Sequence, residues 1–322
     1  MIDHFTLGSP LHVGDIELLP FNQLQSSLTM DGADLELFLG KTVARAVTLA
    51  STSKEAIAQA EPIIDDALTV LRIALDVNKI APEEERLQRR GSSFLTRRTS
   101  TPAAVMVYWR RGRAPYTFEV DQGIRADLAE RIRELKAGYS VATESLVRDA
   151  MLRALHWIGS SILRDDHDDK IVDLCTALEC VFVAHGDERQ KAAYIASRYV
   201  LVGLAVERAW VTLHPLDVFL LYGVRNRIIH GEARRLSNKR TTKSLRFVAL
   251  EAYKRMSLLS RAHPEADNLS ALLAHAKTPS NLDQAIAFIE KVGTTQPKAV
   301  TDARATVLGT LKGMRADSGK PA

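Results

Sequence analysis

The sequence predicts a mainly α-helical protein with a smaller α+β domain at its N-terminus. From residue 124 onward, apolar residues recur at helical spacing, and short polar or glycine-containing stretches separate the periodic segments. Before that point, short apolar and aromatic runs such as residues 104–109 are typical of β-strands. With 46% hydrophobic and 25% charged residues, the chain has the composition of an ordinary globular protein.

The N-terminal part combines strand and helix signals. Residues 16–20 and 35–39 are candidate strands, bounded by glycines that suit turns. Residues 53–78 have near-helical apolar spacing after Ser53, a suitable capping residue. Pro62 lies inside that run, so we expect either a kink or two shorter helices.

The remainder of this part is rich in arginine. Residues 81–102 are polar and predict a loop, whereas residues 104–109 and 116–120 predict two strands of a hairpin. Arg110, Arg111 and Arg113 fall in its turn. From Arg86 to Arg113 there are eight arginines and no acid, a pattern that indicates either a polyanion-binding surface or a solvated face.

The helical part begins with residues 124–137. Further helices are predicted over residues 143–163, 170–184, 188–206, 215–231, 241–261, 268–276, 279–292 and 299–314. We therefore predict an N-terminal α+β domain over residues 1–123, a helical domain over 124–265 and a C-terminal helical extension over 266–322.

The sequence offers few signals for membranes, redox chemistry or bound cofactors. The N-terminus does not resemble a signal peptide, and the most apolar window is far shorter than the ~20 residues that span a bilayer. Cys175 and Cys180 diverge by about 140° on one helix, too far to form a disulfide. We expect a cytoplasmic protein with reduced thiols and no cofactor or metal. Phosphate-binding, dinucleotide-binding and serine-hydrolase motifs do not occur.

The segment 215–231 carries the most unusual polar residues. It starts with proline and ends with glycine, as helices often do. On a helical wheel, Arg225 lies at the centre of an apolar stripe, which is unfavourable unless the guanidinium has a partner or a function. His230 shares a face with Asn226, whose amide could orient the imidazole.

A second misplaced charge occurs on an earlier helix. Glu179 lies within the apolar stripe of residues 170–184, as Arg225 does on its own helix. Two charges of opposite sign on helices that should pack together predict an ion pair. The pair could support the function of Arg225, or it could only fix the register of the two helices.

The residues from Arg225 to His230 resemble the signature of the HEPN superfamily, an arginine, a polar residue, three variable residues and a histidine. Gly231 and the acidic apolar helix at residues 172–183 are similar to the Apea-like branch, and the resemblance covers roughly residues 140–262. It implies a HEPN-type helical bundle and a metal-independent endoribonuclease whose site forms where two copies dimerise. HEPN proteins of this kind often act in anti-phage defence or in toxin–antitoxin systems.

The resemblance implies a role for each motif residue. His230 would act as general acid or base, Arg225 would stabilise charge on the transferring phosphate, and Asn226 would orient the imidazole or contact the phosphate. Glu179 would support Arg225. A second basic cluster runs from Arg225 to Lys243, where seven basic residues stand against one acid. Its residues Arg227, Arg234 and Arg235 would bind RNA together with Arg110, Arg111 and Arg113.

Two other functions remain open. The chain could be a HEPN-type dimer that binds RNA or scaffolds a partner protein without cleavage. It could also be a toxin that an antitoxin silences. In the enzyme interpretation, the N-terminal domain would sense a trigger, such as a phage-derived or regulatory protein, or position the RNA.

Overall fold

The chain folds mainly into α-helices, with a smaller α+β part at the N-terminus. The structure, a computed structural model, describes residues 5–7, 10–13, 16–20, 23, 42–77, 93–98, 103–109, 118–120, 122–138, 145–184, 190–207, 213–232, 237–292 and 297–318. Its contacts define two compact units, residues 1–136 and residues 137–322. The predicted fold class is therefore confirmed.

The first unit contains seven described strands and two helices. The strands are β1 (Phe5–Leu7), β2 (Leu11–Val13), β3 (Ile16–Pro20), β4 (Thr42–Leu49), β5 (Ser93–Arg98), β6 (Ala103–Trp109) and β7 (Phe118–Val120), and the helices are α1 (Ser53–Val77) and α2 (Gln122–Ala137). Five strands form an antiparallel sheet in the order β2-β3-β4-β6-β5, and β1 pairs with β7 in parallel. Helix α1 packs on the five-stranded sheet.

The predicted hairpin between residues 104–109 and 116–120 is wrong. Strand β6 pairs with β4 and β5, whereas β7 pairs with β1. Alternation of apolar residues identifies a strand and its faces, but it does not identify the partner strand. One partner of β6, the strand β4, is distant in sequence, and the other, β5, lies in a stretch whose polar residues predict a loop, so the pattern points to neither.

The arginine-rich loop prediction is also partly wrong. Residues 93–98, within the predicted loop 81–102, form the edge strand β5. Basic residues are common on edge strands because they discourage pairing with other chains. Helix α1 is a single helix of 25 residues with Pro62 inside it, and not two shorter helices. The candidate strand 35–39 lies outside the described residues.

The second unit is a helical bundle. Its helices are α3 (Leu146–Leu163), α4 (His167–Phe182), α5 (Lys191–Glu207), α6 (Pro215–Ile229), α7 (Lys239–Ala262), α8 (Leu269–Ala276), α9 (Pro279–Glu290) and α10 (Lys298–Asp317). Helix α4 packs on α3, α6 and α7, and α5 packs on α6 and α7. The last three helices pack against α5, and α10 also packs against α6, so residues predicted as an extension belong to this unit. No helix in the described ranges is long and apolar enough to span a bilayer.

Side-chain caps explain where most of these helices begin. An oxygen or nitrogen of the capping side chain accepts a hydrogen bond from a backbone N–H of the first turn, which would otherwise lack a partner. The caps are Ser145, Asp166, His214, Asn238, Asn268 and Thr278. Asp166, in the acidic turn before α4, thus acts as a helix cap, since its carboxylate accepts from the Asp168 N–H at 2.7 Å.

A buried tyrosine–glutamate–arginine triad links α5 to α7. The Tyr199 hydroxyl donates a hydrogen bond to the Glu251 carboxylate. Arg255 forms an ion pair with the same carboxylate at 2.8 Å, and both charged side chains are almost inaccessible, with exposed fractions of 5% and 11%. Burial raises the pKa of the Tyr199 hydroxyl, so this group remains a donor. The triad therefore holds two neighbouring helices in one register.

Candidate functional site

Three helices converge on the carboxylate of Glu179. Glu179 lies late on α4, Lys191 begins α5, and Tyr222 and Arg225 are one turn apart on α6. These helices pack against one another because each has an apolar stripe, in which Leu178, Val200 and Val218 are fully buried. Packing of the apolar stripes therefore brings these four polar side chains together around the Glu179 carboxylate.

Every oxygen of the Glu179 carboxylate has a partner. Oε1 accepts a hydrogen bond from the Tyr222 hydroxyl at 2.6 Å and lies 3.2 Å from Nη2 of Arg225. Oε2 accepts from Nζ of Lys191 at 2.7 Å. The predicted pair of Glu179 and Arg225 is thus present, and it belongs to a larger cluster. Burial and the hydrogen bond to Glu179 raise the pKa of the Tyr222 hydroxyl well above its usual value, so it remains a donor.

The Arg225 guanidinium is only partly engaged by the protein. Besides Glu179, it donates from Nη1 to Oδ1 of Asn226 at 3.1 Å, and it lies 5.5 Å from the centre of the Tyr222 ring. Its Nε is buried and has no hydrogen-bond partner among the described residues. The side chain is 21% exposed. Arg225 is therefore held in place from one side while part of its donor set remains available.

The exposed side of this cluster opens into a pocket of about 420 Å³. Lys191, Arg225 and Asn226 line it together with Gln190, Phe219 and Thr306, the last from α10. Among the described residues, the two cations outnumber the carboxylate between them, which leaves one positive charge at this side of the pocket. Converging amide, hydroxyl and guanidinium donors with an excess positive charge suit an anion such as a phosphate.

His230 lies outside this pocket. It caps the C-terminus of α6, where its backbone N–H donates to the Asn226 carbonyl at 3.0 Å, and its side chain is exposed. Oδ1 of Asn226 accepts from Arg225, and no contact among the described residues joins the Asn226 amide, which could have oriented the imidazole, to the His230 ring. Gly231 follows with φ of 69°, the left-handed conformation that its position predicted.

The predicted apolar stripe around Arg225 is buried only in part. Val218 and Tyr222 are buried, whereas Ile229 is 49% exposed. The last turn of α6 therefore extends beyond the core and presents both an isoleucine and His230 at the surface. Arg227 is also exposed there. Of the other predicted RNA-binding residues, Arg110, Arg111, Arg113, Arg234 and Arg235 lie outside the described residues.

Two residues of the cluster were missed in the sequence. Tyr222 fits the apolar stripe of its helix, so the pattern gives no sign that its hydroxyl is a partner of Glu179. Lys191 carried a usable signal, because a lysine in the first turn of a helix opposes the macrodipole and needs an acidic partner. Thr306 could not be found in this way, since only tertiary packing brings α10 beside α6.

The cysteines do not contribute a nucleophile to this site. Both are free thiols, and burial raises the pKa of the Cys175 thiol far above its ordinary value. Burial also raises the pKa of the Cys180 thiol. A cysteine-based mechanism therefore has no support in these environments. The described residues that could bind a metal lie elsewhere, at the junction of α7 and α8.

Known proteins do not assign a function to this cluster. Comparisons with protein-family models, with curated proteins and with solved structures find no match for the chain. The chemistry of the site itself must therefore carry the functional argument.

Proposed function

We propose that this chain is a HEPN-type endoribonuclease that cleaves RNA without a metal. The ribose 2′-OH would attack the adjacent phosphorus, forming the O2′–P bond and breaking the P–O5′ bond. The 2′-OH proton passes to a general base, and a general acid protonates the departing O5′. The products are a 2′,3′-cyclic phosphate and a 5′-OH.

The observation that carries this proposal is the partly engaged Arg225 at the pocket. Glu179 aims its guanidinium, yet the side chain lines a cavity together with Lys191 and Asn226, and the charges described there sum to a positive value. A guanidinium fixed in this way is suited to the charge that builds up on the phosphorane, because little reorganisation is needed when the charge appears. Glu179 is a positioning residue in this scheme.

The exposed position of His230 favours a site completed by a second copy. One motif per chain supplies one histidine, whereas cleavage needs both an acid and a base. In a homodimer, the exposed last turn of α6, with Ile229 and His230, would face the second copy and place two histidines near one scissile bond. An isoleucine that is 49% exposed is consistent with a surface that a partner covers.

The same observation also favours a second candidate function. Because His230 lies outside the pocket, the pocket could bind RNA phosphate without any cleavage. Such a binding module would use Arg225, Lys191 and Asn226 for affinity, and His230 would have no effect on it.

RNA cleavage in excess EDTA separates the two functions. The full-length protein is compared with His230→Ala and Arg225→Ala, and with His156→Ala as a control at an exposed histidine on another helix. The enzyme proposal expects cleavage by the wild type and the control, cyclic-phosphate ends, and loss of activity in both motif variants. RNA binding that Arg225→Ala weakens and His230→Ala leaves unchanged, without cleavage by the wild type, would support the binding module. Cleavage that persists in His230→Ala would refute the proposed mechanism.

A further inference from the structure

A second site is suggested by three side chains at the junction of α7 and α8. His263 follows the last residue of α7, Glu265 lies in the connecting turn, and His275 lies in the last turn of α8. Their possible ligand atoms all lie within 4.8 Å of one another. The side chains are 32%, 62% and 36% exposed, so an ion could reach them from solvent.

Two distances within this cluster, each from a histidine nitrogen to Glu265, are close to the edges of a metal coordination sphere. Nδ1 of His263 lies 3.3 Å, and Nε2 of His275 3.4 Å, from the same Glu265 oxygen. His263 Nδ1 and this oxygen are within hydrogen-bond distance, but the separation exceeds the range of about 2.7–2.9 Å that is typical of a charge-assisted hydrogen bond. Ligands about 2.0–2.2 Å from a tetrahedral zinc ion are separated from one another by about 3.3–3.5 Å.

The fold brings these ligands together through local structure that sequence spacing does not reveal. Pro264 occupies the second position of a turn closed by the hydrogen bond from the Ala266 N–H to the His263 carbonyl, at 3.2 Å. The turn sets Glu265 beside His263, and α8 then carries His275 back toward both. Both histidines also lie at helix C-termini, where the macrodipole favours a cation.

We propose that His263, Glu265 and His275 bind a zinc ion that connects the end of α7 to the end of α8. Two imidazole nitrogens and one carboxylate oxygen are a donor set that zinc commonly takes, with a water molecule in the fourth position. The two rings are now stacked, with centroids 3.7 Å apart and planes 11° from parallel. Binding would tilt them so that both nitrogen lone pairs converge on the ion.

This site is independent of the proposed nuclease pocket. None of its three ligands lines that pocket, and the cleavage mechanism uses no metal. The zinc would act on the bundle, because α8 packs on α3, α4 and α5 and its orientation depends on the turn after α7. Zinc binding is therefore expected to stabilise the second unit without being required for cleavage.

Zinc titration of the chelator-treated, full-length protein tests the proposal. We expect one saturable zinc site per chain by calorimetry, and visible d–d absorption bands on addition of cobalt(II) as a spectroscopic substitute. At zinc concentrations 100 times the dissociation constant, the melting temperature should rise by roughly 5–10 °C. Magnesium at the same concentration should have no effect, because it prefers sites made of oxygen ligands.

Two substitutions at the proposed ligands and one control substitution test whether zinc binds at this cluster. Glu265→Gln and His275→Gln should each weaken zinc binding by more than about 100-fold. Loss of a residue that only hydrogen-bonds to a ligand costs roughly 10- to 100-fold, and loss of a ligand itself should cost more. His12→Gln is the matched control, because His12 lies 3.7 Å from a glutamate oxygen in the other unit and belongs to no metal-binding group among the described residues. Absence of saturable binding, or binding that survives both ligand substitutions, would overturn the proposal. So would an equal loss in the control.

Discussion

Replacing Glu179 with glutamine tests how the Arg225 cluster is held together. The amide can still accept a hydrogen bond from Tyr222, but the substitution removes the negative charge that pairs with both Lys191 and Arg225. Loss of one partner from a fully buried ion pair costs about 3–5 kcal/mol. Because Glu179 is 16% exposed, Arg225 21% and Lys191 31%, we expect a smaller loss.

The expected decrease in the free energy of unfolding is about 2–4 kcal/mol, since solvent partly screens the remaining cations. For a helical unit of this size, that decrease corresponds to a fall in melting temperature of roughly 5–15 °C. Counted over the described residues, the excess at the pocket rises from one positive charge to two. Added phosphate, at constant ionic strength, should therefore stabilise Glu179→Gln more than it stabilises the wild type.

Glu251→Gln is a matched control for this experiment. Glu251 also accepts from a tyrosine and pairs with an arginine, but its triad is buried and does not line the pocket. We expect it to lose at least as much stability and to show no extra response to phosphate. The reasoning would be refuted if Glu179→Gln lost less than about 0.5 kcal/mol, as a typical surface substitution does. An equal phosphate response in both variants would also refute it.

Three further predictions concern other parts of the second unit. Burial lowers the pKa of His214, whose neutral ring caps α6. The contribution of this cap to stability should be complete above pH 6.5 and should decline as the pH falls toward the lower pKa of the folded state. In thermal melts, the variant His214→Asn, which retains a cap, should show a smaller decline. Gly138→Ala should lower the free energy of unfolding, measured by urea titration, by about 1–3 kcal/mol. The new Cβ would lie 2.4 Å from the Tyr253 hydroxyl oxygen, which is too close. An unchanged midpoint of urea unfolding would contradict this prediction. Cys175 is fully buried and the pKa of its thiol is raised, so it should react with thiol reagents only when the second unit opens. Reaction in the folded protein as fast as that of an exposed thiol would contradict this burial.

The helices were more predictable from the sequence than the strand pairings. Periodic apolar residues and capping side chains are local signals, so the prediction of α6 from Pro215 to Gly231 is close to the observed Pro215–Ile229. Strand β6 pairs with β4, which is far away in the sequence, and with β5, which lies in a stretch whose polar residues predict a loop. For this reason the sequence located β6 but assigned it the wrong partner.

The candidate site was predictable to the extent that its residues violate a local pattern. Glu179 and Arg225 stand out because a charge in an apolar stripe needs an explanation, and the two do form an ion pair. Tyr222 and Thr306 violate no pattern, and only the packing of helices shows their roles. The exposure of His230 could not be foreseen either, because helical spacing does not show how far α6 extends beyond the core.

Helix α10 has a consequence for how such a pocket could evolve. Through Thr306, it forms one wall of the cavity beside Arg225, yet it carries none of the motif residues. Substitutions on this wall would change the width of the pocket, and so the anions that fit into it, while the groups that hold Arg225 stay the same. In the proposed enzyme, part of the wall that selects the ligand would thus lie on a different helix from Arg225, and each could change without the other.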